Sequence, residues 1–168
     1  EWIGEIPEGW EVKKLKYAAK IQGGFAFKSE EFAEKGTPII RIGDISAEID
    51  FNNCKKTAER NIPSEFKLKK YDTLIALSGA TVGKMCFINE DCEAYINQRV
   101  ASVNNKSKCL YYFLSSEFFV KQILLAAGGS AQENISTNSI GNFFIPIPPP
   151  AEQTAIANYL DDKTAKID

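Results

Sequence analysis

Histidine is absent from the 168 residues, which removes the side chain that most often carries a proton or binds zinc near neutral pH. Any acid–base chemistry would fall to Asp, Glu, Lys or Tyr. Cysteine is scarce and irregularly placed. Cys54, Cys86, Cys92 and Cys109 stand 32, 6 and 17 residues apart, with no CxxC pair. That spacing supplies no zinc site, and a disulfide framework does not suit a chain without export features, so idle or buried thiols are expected. Long apolar runs are missing, and the N-terminus lacks the basic, apolar and small-residue pattern of a secretion signal. A cytoplasmic protein with no membrane contact is expected. A surplus of positive charge is missing too, because 20 basic residues meet 22 acidic ones for a net charge of −2. Taken as a total, this balance argues weakly against a nucleic-acid partner.

The distribution of charge says more than its sum. Lys13, Lys14, Lys16, Lys20 and Lys28 fall in a stretch with no acid between them. Residues 55–70 hold Lys55, Lys56, Arg60, Lys67, Lys69 and Lys70 against Glu59 and Glu65. Acids gather elsewhere, at Glu30, Glu31 and Glu34 and at Glu90, Asp91 and Glu93. Such segregation gives either a basic face on a neutral molecule or a solvated strand edge.

The length and a 44% hydrophobic content fit one globular body with an appendage. Alternation predicts strands at Trp10 to Val12, near Ile21, and over Pro38 to Gly43, with a short helical turn from Leu15 to Ala19 between the first two. The densest strand pattern covers Thr73 to Leu77, Val82 to Ile88 and Ala94 to Val103, with Asn89, Glu90 and Asp91 as a turn. From Cys109 to Ala127 the apolar spacing becomes helical. Ser115 and Ser116 divide it into two helices, and Gly128 and Gly129 stop the second. Phe143 to Ile147 reads as an edge strand because Pro146 has no N–H to donate. Pro148 to Pro150 make a stiff spacer before a last helix, on which Ile156, Leu160 and Ile167 share a stripe. That stripe serves either a partner helix or the body itself. Strands precede helices without regular βαβ alternation, so the fold class is α+β.

No catalytic constellation assembles from these residues. Gly79 to Lys84 imitates a phosphate-binding P-loop, but its glycines are one residue too close and Met85 stands where Ser or Thr would hold magnesium. What remains is a glycine-framed turn on which Thr81 and Lys84 could contact a phosphate. Asp50 with Glu65 and Lys67 is a weak imitation of a metal-dependent nuclease, in an apparent loop. The glycine-rich loop and base-gripping motif of a methyltransferase are missing. Polar groups suited to contact stand elsewhere. Gln98 and Arg99, read as lying within a strand, carry side chains that bond base edges or phosphates in pairs, and Ser130, Gln132 and Asn134 offer a similar set on a loop. Either set could instead satisfy buried backbone atoms.

Taken in order, Ile6 to Trp10, Gly23 to Ser29, Ile40 to Gly43, Ala76 to Lys84, Asn97 to Ala101, Gly128 to Ser136 and Pro146 to Gln153, closing on Tyr159 to Asp161 and Lys163 to Asp168, resemble the specificity (S) subunit of type I restriction-modification systems. The resemblance covers nearly the whole chain. It implies a β-rich target recognition domain over residues 1–148, with short strands and a helical pair, that reads one half of a bipartite site in double-stranded DNA. Residues 149–168 would begin a spacer helix, packing through Ile156, Leu160 and Ile167 against a second recognition half or a second copy. The chain itself would be noncatalytic and without cofactor. The methyltransferase (M) and restriction (R) subunits would carry S-adenosylmethionine, ATP and magnesium. Lys28, Ser29, Arg41, Thr81, Lys84, Gln98, Arg99, Ser130, Gln132 and Asn134 become the candidate DNA contacts, the shared motifs serving phosphate contact or loop shape. The segment from Ala47 to Lys70, polar, basic and outside those motifs, becomes the candidate base reader. Glu133 departs from the pattern, standing where a proline is common. The competing reading is a protein-interaction module that uses the terminal helix and the apolar helical face, without touching DNA.

Overall fold

The computed structural model describes residues 4–59, 61–128 and 134–165. Among the described residues the strands run in the order β1 (Glu11–Lys14), β2 (Lys20–Gly23), β3 (Phe32–Ala33), β4 (Thr37–Ile40), β5 (Lys55–Thr57), β6 (Thr73–Ala76), β7 (Met85–Phe87), β8 (Tyr95–Ile96), β9 (Val100–Asn104) and β10 (Phe144–Ile147). The α-helices are α1 (Leu15–Ala18), α2 (Lys108–Leu114), α3 (Glu117–Ala127), α4 (Thr137–Gly141) and α5 (Pro150–Thr164). The class is α+β, as expected.

The central sheet has the order β2-β9-β6-β7, antiparallel throughout. All four residues of β6 are buried, because this strand has a core on each face. Its alternation divides the two: Ile75 points to a cluster with Val103, Leu114, Phe119, Ile123 and Ile140, while Leu74 and Ala76 join Ile40, Cys86, Ile96 and Val100 on the other side. A second sheet, β3-β5-β4-β8, pairs β4 with β8 in parallel and supplies Ile39 and Tyr95 to a third cluster with Phe27 and Ile62. Phe119 is fully buried and meets Phe113 and Phe143 edge to face, each with ring centroids 5.7 Å apart.

β1 and β10 form a separate two-stranded ribbon. Pro146 lies opposite Val12 there, and the ribbon has room for a residue that donates no hydrogen bond. The indole N–H of Trp10 donates to Glu152 Oε2 at 2.8 Å, and Leu15 N–H donates to the Phe143 carbonyl at 2.8 Å, so the ribbon ties the first strand to the last third of the chain.

The helical pair forms as its pattern predicts. Ser116 caps α3 by accepting from Phe119 N–H at 3.3 Å. Elsewhere three readings need correction. The expected strand over Val82 to Ile88 is only β7, because Gly79–Thr81 close a 3₁₀ turn that delays it. The strand expected to run to Gly43 stops at Ile40, and Ile42–Asp44 turn instead, with Asp44 Oδ2 accepting Arg41 N–H at 2.8 Å. Gln98 and Arg99 are not in a strand: β8 ends at Ile96, and Val100 N–H donates to the Asn97 carbonyl at 2.8 Å to close a turn where the chain passes from one sheet to the other.

α5 lays one stripe on α2. Ala157 is buried, and Gln153, Ile156, Leu160 and Asp161 beside it are half-buried. Asp161 accepts from the Tyr112 hydroxyl and pairs with Lys108 Nζ at 2.5 Å. Ile156 and Leu160 therefore stand on the stripe turned to the body, and Ile167 lies outside the described residues. Burial works against ionisation of Asp161, but the hydrogen bonds from Lys108 and Tyr112 outweigh it and hold the carboxyl below its ordinary range.

Two outcomes follow. Phe119→Ala should cost about 3–5 kcal/mol in urea unfolding, whereas Leu125→Ala, at a position 74% exposed, should change stability by less than about 0.5 kcal/mol. A carboxyl with a lowered folded pKa contributes its stability above the unfolded value, and that contribution fades as pH falls through the folded one. Resonances of α5 amides should thus hold steady down to the ordinary value of 3.8 and move below it, while Asp161→Asn should show the loosened positions already at neutral pH.

Candidate nucleic-acid interface

Four stretches of chain, remote in sequence, meet at one end of the central sheet. The first is the end of β2. Gly24 N–H donates to the Val100 carbonyl at 2.9 Å, Phe25 N–H to Ile96 at 2.8 Å, and Gln98 N–H to Phe25 at 2.9 Å. A Cβ on Gly24 would sit 2.0 Å from the Asn97 oxygen, so only glycine allows this approach. The second stretch is the Asn97 to Val100 turn, held by those bonds with Gln98 and Arg99 exposed. The third continues β6: Leu77 N–H donates to the Arg99 carbonyl at 2.9 Å, and Gly79 turns the chain at φ +69°. The fourth crosses behind it, with Ile135 N–H donating to Leu77 at 2.9 Å and Ser78 bridged to Asn134. Ser136 then caps α4 by accepting from Ser139 N–H at 3.0 Å.

Between them lies an open concavity of about 970 Å³, lined by Gly23, Leu77 to Ala80, Gln98, Arg99 and Asn134 to Thr137. Among the described residues of that lining, Arg99 carries the one ionised side chain. Beside the apolar Leu77, Ala80 and Ile135, the lining offers the amides of Gln98 and Asn134 and the hydroxyls of Ser78, Ser136 and Thr137, groups that hydrogen-bond a polar ligand without fixing its charge. Ser78 is 8% exposed, and its Oγ has no hydrogen-bond partner among the described residues. A buried hydroxyl left unpaired costs roughly 1–3 kcal/mol. Its place in the lining makes it a group that a ligand would satisfy.

The expected contact residues divide. Gln98, Arg99 and Asn134 line the concavity together, and Thr81 stands on the adjoining turn, its hydroxyl donating to the Ser78 carbonyl at 3.3 Å. Lys84 is exposed just beyond, its N–H donating to the Thr81 carbonyl at 2.9 Å, and is not in the lining. Lys28 and Ser29 begin a separate 3₁₀ turn, where Lys28 N–H donates to Glu31 Oε2 at 2.5 Å. The Arg41 guanidinium pairs with Asp44 at 3.3 Å and is also outside. Ser130 and Gln132 lie outside the described residues. Among the described residues of the segment 47–70 none lines this concavity, and Glu65, Lys67, Lys69 and Lys70 line a different one. Ser78 and Thr137 were not among the expected contacts. A five-residue helix such as α4 leaves no readable period, although the cap pair Ser136 and Ser139 marks its start.

The thiols are poor nucleophiles. Burial pushes Cys54 and Cys86 up to about 11, and Cys92 and Cys109 are raised for the same reason. Among the described residues no group of three or more Cys, Asp or Glu is placed to hold a metal ion, and no helix is long and apolar enough to cross a membrane. At pH 8, Cys54 and Cys86 should be about one part in a thousand thiolate and should react with iodoacetamide only as fast as the protein opens. Mass spectrometry of the alkylated native chain checks this.

The family model described as Type I restriction modification DNA specificity domain matches residues 7–168. The chain is 35% identical, over 94% of its length, to the type I restriction enzyme MjaVIII specificity subunit of Methanocaldococcus jannaschii, and 27% identical, over 97%, to the EcoBI specificity subunit of Escherichia coli. It spans 40% of the first relative and 34% of the second. In fold it matches the HsdS subunit from Thermoanaerobacter tengcongensis, with a TM-score of 0.75 at 22% identity, over 98% of this chain and 39% of that one.

Proposed function

The chain belongs to the family of type I restriction-modification DNA specificity domains, and we propose that it is a noncatalytic recognition module that holds duplex DNA against the concavity between Gly23, Ser78, Arg99 and Asn134. One observation carries the reading. Segments separated by some 20 to 50 residues are stitched by backbone hydrogen bonds into a single lining that is rich in amides and hydroxyls, holds one arginine and leaves one buried hydroxyl unpaired. That chemistry positions a phosphodiester backbone, where Arg99 supplies charge and the neutral donors fix register.

In this reading residues 1–148 form the recognition body and 149–168 begin a spacer, with the outward face of α5, including Tyr159, left for a second recognition half or a second copy. The methyltransferase and restriction subunits are the proposed partners. They would bring S-adenosylmethionine, ATP and magnesium, and the chemistry would be theirs. The protein-interaction alternative finds less support, since the stripe of α5 that would serve a partner helix already lies on α2.

Fluorescence anisotropy on labelled duplexes tests the proposal. Arg99→Ala should weaken duplexes of every sequence alike and reduce the slope of log affinity against log salt by about one, as expected for one lost phosphate contact. Asn134→Ala should weaken binding without changing that slope. Unchanged affinity in both variants, with the fold intact by circular dichroism, would remove the concavity from consideration.

A further inference from the structure

A second concavity, of about 540 Å³, opens at the opposite end of β2 and β9, where Lys20 faces Asn104 across the strand register. Lysines outnumber carboxylates in its lining: Lys20, Lys67, Lys69, Lys70 and Lys106 against Glu65, Asp72 and Asp91. Two of those carboxylates are spent on local structure. Asp72, 3% exposed, accepts Lys69 N–H at 2.8 Å and Asn104 Nδ2 at 2.9 Å, and Asp91 accepts Lys70 N–H at 3.2 Å. Burial raises the Asp72 pKa against the opposing pull of its hydrogen bonds and of the nearby Lys69 and Lys20 charges. Lys67 pairs with Glu93 at 3.7 Å, but among the described residues the ammonium groups of Lys20, Lys69 and Lys106 form no ion pair.

Backbone strain marks the same place. Among the described residues only two that are not glycine have left-handed backbones, Tyr71 at φ 71° and Lys106 at φ 62°, and both line this concavity. Left-handed backbone is strained for any residue with a Cβ, and strain of this kind gathers at functional sites. One residue pins both turns. Asn104 donates from Nδ2 to the Lys70 carbonyl at 3.0 Å and accepts from Lys106 N–H at 3.1 Å through Oδ1. The chain thus keeps a cationic lysine at position 106, where glycine would be relaxed, and holds it firmly.

We infer that this concavity binds phosphate groups, with Lys20, Lys69 and Lys106 as the ammonium donors around the anion and Asn104 as the residue that positions the two strained turns. Compact ammonium charges on flexible stems suit a phosphate, which accepts from several directions. The inference stands apart from the proposed duplex contact at the other end of the strands. The phosphate source is either a nucleic-acid backbone or a free phosphate compound.

The test titrates the whole chain, labelled with nitrogen-15, with sodium pyrophosphate at constant ionic strength. Saturating shifts are expected at the amides of residues 69–72 and 104–106. Lys106→Gly relieves the left-handed strain, so its melting temperature should stay level or rise while pyrophosphate affinity falls about threefold. Lys20→Ala with Lys69→Ala should lower affinity about tenfold. Shifts that stay linear, or affinities unchanged in both variants, would overturn the inference. A duplex of mixed sequence identifies the source: affinity lost for duplex and pyrophosphate alike assigns the anion to nucleic acid, and loss for pyrophosphate alone assigns it to a free phosphate compound. Failure of the Arg99 and Asn134 experiment would leave the pyrophosphate result untouched, so the two readings fall separately.

Discussion

β9 is hydrogen-bonded along both edges, to β2 and to β6, and the rest of the molecule is arranged by that double pairing. A strand paired on both sides, in a sheet covered on both faces, cannot shift register by one residue without turning two sets of apolar side chains the wrong way. Val103 and Ala101 face the helices, while Val100 belongs to the other core. The pairing therefore fixes what stands at either end of the strand. One end delivers the Asn97 to Val100 turn to the glycine pair after β2, and the other delivers Asn104 between two strained turns.

The electrostatic picture follows from this geometry. The total charge of −2 gave a poor account of either concavity. In the first, amides and hydroxyls stand beside the Arg99 guanidinium. In the second, two of the three carboxylates accept from backbone N–H groups, and five lysines line the space. Lysines close together in sequence, such as Lys67, Lys69 and Lys70, join Lys20 and Lys106 only because β2 and β9 run side by side.

Much of the architecture was legible before any coordinates. The helical pair, the capping by Ser116, the edge strand with Pro146 and the position of β6 all follow from local signals that act over one turn or one strand. What escaped notice depends on distant partners. β5 has three residues and α4 five, too few to show a period, and they exist because neighbours hold them. Gln98 and Arg99 looked like part of a strand because the apolar residues on either side are buried, yet they belong to different sheets. The motif residues at 23–24, 98–99 and 134 were recognisable as a set, and their convergence is a fact of packing. Lys28 and Arg41 belonged to the same motifs, but each spends its local hydrogen bonds on an acid three residues on.

The ribbon of β1 and β10 carries a consequence for biosynthesis. Glu11 is registered with Ile147, so β1 has no ribbon partner until almost the whole stretch up to β10 has been translated after it. At ordinary elongation rates that interval is on the order of ten seconds, during which Val12 and its unpaired amides stay open to other chains. The charged residues of that strand, Glu11, Lys13 and Lys14, discourage premature edge pairing while it waits.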